Sequence, residues 1–107
     1  MFKAVCKVSE LTSEGELYRF DLEDKSLLVV KFGDAYFVSD TICTHEEADL
    51  SLGMFSDGIV TCPLHRARFR IEDGAVVSGP DGGPSSEISR LRVYQTKIED
   101  GELLADI

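Results

Sequence analysis

Apolar residues along this chain come in short runs or in strict alternation with polar ones, interrupted at close intervals by glycine, aspartate or proline. That is the pattern of an all-β domain. Residues 2–8 form the first predicted strand. Leu17-Tyr18-Arg19-Phe20-Asp21-Leu22 alternates and reads as a strand with one buried face, whereas 27–32 is a more continuous apolar run. Residues 36–38 follow the Gly33-Asp34 turn. The periodicity then lapses from 41 to 55, where at most a short helix over 46–52 fits, since Gly53 ends it within two turns. Residues 59–61 resume the strand pattern. Residues 68–71 and 75–77 flank Asp73-Gly74 as a predicted hairpin, and Asp57-Gly58 and Asp100-Gly101 are turn signals of the same kind. A loop rich in glycine and proline spans 78–86, and 91–95 and 103–107 are the closing strands.

At 107 residues the chain reads as one domain, 1–107, with a modest core. Eleven basic residues face 20 acidic ones, for a net charge of −9. Such a surface repels phosphate backbones and argues against nucleic acid as a partner; it suits encounter with basic patches on proteins, and equally the plain role of keeping a small protein in solution. No apolar run approaches a membrane span, and the first residues lack the features of an export signal, so the chain reads as cytoplasmic. An odd count of three cysteines without an export signal argues against a disulfide framework. Cys6, within a strand pattern, reads as a buried structural thiol. Phe20, Phe32, Tyr36, Phe37 and Tyr94 read as core.

The chemistry lies in two short segments, Cys43-Thr44-His45 and Cys62-Pro63-Leu64-His65, separated by sixteen residues and containing both histidines of the chain. Thiolates suit iron–sulfur clusters or zinc, and imidazole suits both metals. Zinc accepts the same four donors. Zinc fingers, however, pair Cys with Cys and His with His, whereas each segment here mixes the two. That mixture is the ligand set of a Rieske centre, in which two histidines replace two cysteines on one iron. No histidine remains for a mononuclear oxygenase iron, so the chain carries no catalytic residue of that kind.

With these motifs the whole chain resembles the Rieske family, specifically the small ferredoxins of bacterial aromatic-ring-hydroxylating dioxygenases. The resemblance implies three antiparallel sheets, with a small cluster-binding subdomain (approximately 41–85) set on a basal β domain. It implies one [2Fe–2S] cluster held by Cys43, His45, Cys62 and His65, with the loop between Pro80 and Pro84 packed over it. It also implies single-electron carriage from a flavin-dependent reductase to a terminal oxygenase. The alternative is a Rieske small subunit of another oxidoreductase, of the nitrite reductase or arsenite oxidase type. Respiratory Rieske proteins carry an extra disulfide and two hydroxyls aimed at sulfur. The matching positions here are Ala48 and Leu64, then Ala67 and Phe69, which points to the low-potential branch, near −150 mV. Glu46 and Arg66 stand where the family usually places glycine. With Glu47 and Arg68 they are expected to form a mixed-charge rim at the docking tip.

Overall fold

A computed structural model describes residues 1–44 and 48–107. Among the described residues eleven strands build three antiparallel sheets, joined by loops and single 3₁₀ turns. Strands β1 (Phe2–Lys7), β10 (Thr96–Glu99) and β11 (Glu102–Asp106) form one sheet in the order β1-β11-β10. A second holds β2 (Leu17–Leu22), β3 (Lys25–Phe32), β4 (Ala35–Asp40) and β9 (Val93–Tyr94), in that order. The third holds β5 (Met54–Ser56), β6 (Ile59–Thr61), β7 (Arg68–Arg70) and β8 (Val76–Ser78).

The continuous apolar run in β3 has a clear cause. Leu27 and Val29 pack into one core with Val5, Leu11, Val38, Tyr94, Leu103 and Ala105. Leu28 and Val30, on the opposite face, pack into another with Leu50, Val60, Phe69, Ile71 and Leu91. The strand is therefore the shared middle layer between two cores, and a strand buried on both faces cannot alternate. β2 has one buried face and does alternate.

Two turns follow their sequence signals closely. Asp57 and Gly58 have φ of 50° and 80°, and Asp100 and Gly101 have 51° and 77°, the left-handed pair that suits a two-residue hairpin. The hairpin expected at Asp73-Gly74 is wider, with β7 ending at Arg70 and β8 starting at Val76. The reason lies outside the hairpin. Gly74, at φ 78°, accepts a 2.8 Å bond from Leu91 N–H, and a Cβ there would overlap the Leu91 carbonyl.

The helix expected over 46–52 falls partly outside the described residues. Its described part is a single 3₁₀ turn, Leu50–Leu52, capped by Asp49. Of the aromatic residues expected in the core, Tyr94 is buried, and Phe20, Tyr36 and Phe37 are half-buried. Phe32 lies at the surface and meets Phe55 edge-on, with ring centroids 5.4 Å apart. It links the ends of two sheets and fills neither core. Among the described residues no helix is long and apolar enough to cross a membrane.

Candidate metal centre

Both cysteine-bearing loops close in the same way. Cys43 N–H donates to the Ala48 carbonyl at 2.9 Å, and Cys62 N–H donates to the Ala67 carbonyl at 2.8 Å. Each bond spans five residues and turns a strand end into a tight loop with a cysteine at its base. Both side chains are buried, Cys62 completely, in the core that also holds Ala48, Ala67, Phe69 and Leu91. Apolar walls of this kind exclude water from a metal–thiolate group and so bear on its potential.

The second loop is held by the hairpin of β6 and β7, whose register pairs Thr61 with Arg68 on either side of it. It reverses through two successive left-handed residues, His65 at φ 61° and Arg66 at φ 54°. Arg66 thus adopts the conformation glycine normally supplies, at a cost of about 1–2 kcal/mol. The equivalent departure at Glu46 lies outside the described residues, as do His45 and Glu47. His65 is half exposed at 51%, and its Nδ1 lies 3.4 Å from the Asp81 carboxylate. Asp81 N–H also donates to the His65 carbonyl. The loop between Pro80 and Pro84 is therefore anchored on the second cysteine–histidine loop. The loop also closes on itself at Gly79, whose N–H donates to the Gly83 carbonyl and where a Cβ would overlap the Pro84 carbonyl.

Among the described residues the first loop rests on a single bridge, Ile42 with Asp49, and is clamped by side chains. Leu50 N–H donates to the Thr41 carbonyl at 2.7 Å. Asp49 Oδ1 accepts from Thr41 Oγ1 at 3.0 Å, Ser51 N–H at 2.9 Å and Ser51 Oγ at 2.5 Å. Its Oδ2 takes Arg19 Nη1 of β2 at 2.6 Å. Burial opposes ionisation of Asp49, but the hydrogen bonds from Ser51, Arg19 and Thr41 outweigh it and hold the carboxyl below its ordinary value. Thr44 Oγ1 ties the tip of this loop to the Ser89 carbonyl at 2.7 Å.

The clamp was not singled out from sequence. Asp49-Leu50-Ser51 does read as a capping pattern, but nothing marks Arg19, thirty residues earlier, as its partner. Cys6 lies in the other core, where burial pushes its thiol up to about 11. It is no part of the centre.

The structure thus brings two buried cysteines from matched loops into one core and leaves His65 at its exposed side. Two buried cysteines with an imidazole at the exposed side suit the iron–sulfur chemistry of a Rieske centre. The comparisons agree. Residues 1–96 match the Rieske [2Fe–2S] domain family. The chain is 30% identical over 103 residues to the ferredoxin component of biphenyl 2,3-dioxygenase from Rhodococcus jostii (strain RHA1), covering 96% of this chain and 90% of that protein. Its fold matches Sphingomonas yanoikuyae B1 ferredoxin with a TM-score of 0.86 at 29% identity, covering 100% of this chain and 99% of that one. It also matches a chain in the complex of reduced oxygenase and oxidised ferredoxin of carbazole 1,9a-dioxygenase, with a TM-score of 0.82 at 26% identity over 97% and 91% of the two chains. The chain belongs to the Rieske [2Fe–2S] family and resembles its dioxygenase ferredoxins, which are electron carriers. Membership implies one Rieske-type [2Fe–2S] cluster.

Proposed function

We propose that this protein carries single electrons from a flavin-dependent reductase to a terminal aromatic-ring-hydroxylating oxygenase in the cytoplasm. The cluster is held by Cys43 and Cys62 on one iron and by His45 and His65 on the other, within a cluster-binding unit over 41–85. Bound there, it supplies one reversible electron. The chain's own residues do the rest. Buried Cys43 and Cys62 keep water from the sulfurs, and Phe69 and Leu91 wall the same core. His65 stands at the exposed side and gives the electron its shortest way out, next to the loop that Asp81 anchors.

The observation that carries this reading is the repeated loop closure, Cys43 to Ala48 and Cys62 to Ala67, which supports a pair of matched half-sites. The named relatives support the oxygenase as acceptor, since one is a ferredoxin component of a dioxygenase and another match lies in an oxygenase–ferredoxin complex. Ala67 and Phe69 are fully buried and offer no hydroxyl to the sulfurs, which supports a low potential. Purified protein should contain two irons and two acid-labile sulfides per chain and show a Rieske-type EPR signal when reduced. Cys43→Ser and Cys62→Ser should each abolish it, and Cys6→Ser should not. A colourless protein with one zinc per chain would end the proposal.

A further inference from the structure

The outer face of the β5–β8 sheet carries no acidic side chain, in a chain with 20 acidic residues. Register sets Met54, Thr61, Arg68 and Ser78 side by side in one row, with Ser56, Ile59 and Arg70 in the next. The intervening row, Phe55, Val60, Phe69 and Val76, points inward to the core. From Gly58 to Ile71 the sequence has three arginines and no carboxylate. The face borders the second cysteine–histidine loop directly, because Thr61 and Arg68 flank it and exposed Arg66 lies within it.

The three arginines are not equivalent. Arg70 is bound through two nitrogens to the Asp73 carboxylate, so its charge is compensated locally. Arg68 is exposed and steadied by a 2.9 Å bond from Nε to Ser78 Oγ, a bond that does not use its terminal nitrogens. Among the described residues, no carboxylate lies within ion-pair distance of Arg66 or Arg68. Both line a shallow concavity with Thr61, Ser78, Gly82 and Asp81. Met54, in the same row, is 72% exposed.

We propose that this face, with Arg66 and Arg68 beside Met54, docks an electron-transfer partner that presents acidic side chains around an apolar contact. This rests on the ferredoxin reading and gives it a partner chemistry opposite to the one the net charge suggests. Arginine and methionine are enriched in protein interfaces, and a guanidinium held at one nitrogen is preorganised to take a carboxylate. Two cations that form no ion pair among the described residues, in a chain of net charge −9, also orient the molecule. An acidic partner is repelled by most of the surface and admitted where the electron leaves.

Small redox ions can test the sign of charge at that exit. Reduced protein is mixed by stopped flow with ferricyanide, a trianion, or with tris(phenanthroline)cobalt(III), a trication. At about 10 mM ionic strength screening extends over roughly 30 Å, so local charge is felt. The double variant Arg66→Gln with Arg68→Gln should lower the ferricyanide rate constant at least about threefold and raise the cobalt one. The pair Lys3→Gln and Lys7→Gln, which removes the same net charge from β1, should change each by less than half as much. A shift in driving force would move both reagents the same way, so opposite responses identify electrostatics. Responses of the same sign, no response, or an equal effect from the β1 pair would overturn the docking face while leaving the ferredoxin reading intact. Wild-type protein with no cluster spectrum would overturn both.

Discussion

Replacing Asp49 tests whether side chains do for the first loop what the hairpin of β6 and β7 does for the second. The Asp49 side chain is only 18% exposed, and Thr41 is fully buried with its hydroxyl bonded to Asp49. Asp49→Ala orphans that hydroxyl, a cost of about 1–3 kcal/mol, and removes the cap on Ser51 N–H, worth about 1 kcal/mol. A total near 3 kcal/mol corresponds to a fall of about 10–20 °C in unfolding midpoint for a domain of this size. Asp49→Asn keeps a neutral acceptor for Thr41 and Ser51 and should lose only about 1 kcal/mol. Apparent midpoints by far-UV circular dichroism, at one scan rate because cluster loss makes unfolding irreversible, give the comparison. The sign of the pH effect follows from the lowered Asp49 carboxyl. Its stabilisation is complete above the unfolded carboxylate value, about 3.9, and fades as pH falls through the lower folded value. The gap between wild type and Asp49→Asn should therefore be widest above pH ~5 and close in more acid solution. Alanine and asparagine variants with equal midpoints, or an alanine variant within about 3 °C of wild type, would refute the clamp.

Other outcomes follow from single sites. Ala67→Ser with Phe69→Tyr puts two hydroxyls into the wall around Cys62 and should raise the midpoint potential in protein-film voltammetry; an unchanged or lower value counts against the branch assignment. Gly74 and Gly101 share left-handed φ values of 78° and 77°, but only Gly74 has backbone where a Cβ would go. Gly101→Ala should therefore cost about 1–2 kcal/mol in urea titrations and Gly74→Ala clearly more. Cys6, with its thiol pushed up to about 11, should alkylate at pH ~8 about two orders of magnitude more slowly than a free thiol until urea exposes it, as mass spectrometry of the labelled protein would show.

Strand positions were legible where one local rule decided them. Alternation marked β2, and the aspartate–glycine pairs at Asp57 and Asp100 set two hairpins by backbone conformation alone. Strands governed by distant partners were harder to read. β10, Thr96–Glu99, lies outside the strands read over 91–95 and 103–107, because Ile98 is its one strongly apolar residue and lies half exposed at the sheet edge. The Asp73-Gly74 turn signal was right about the reversal and wrong about its width, since Gly74 is committed to Leu91, seventeen residues away.

The same division holds at the site. The cysteine and histidine positions are a local code, because two donors a residue or two apart can be aimed at one metal group by a single turn whatever the fold around them. What surrounds those donors is nonlocal. The Arg19–Asp49 link joins residues thirty apart, and the acid-free face arises only when β5, β6, β7 and β8 lie side by side. Net charge is the measure most easily misread in this setting. A value of −9 averaged over 107 residues gives an acidic protein, yet the strands that carry the second loop hold none of that charge. A partner meets the local field within a Debye length of about 8 Å in physiological salt, not the average. On the docking proposal the face that borders His65 sets which partner charge is accepted, and Arg66, in a conformation glycine would adopt more cheaply, puts a cation where the usual residue could not.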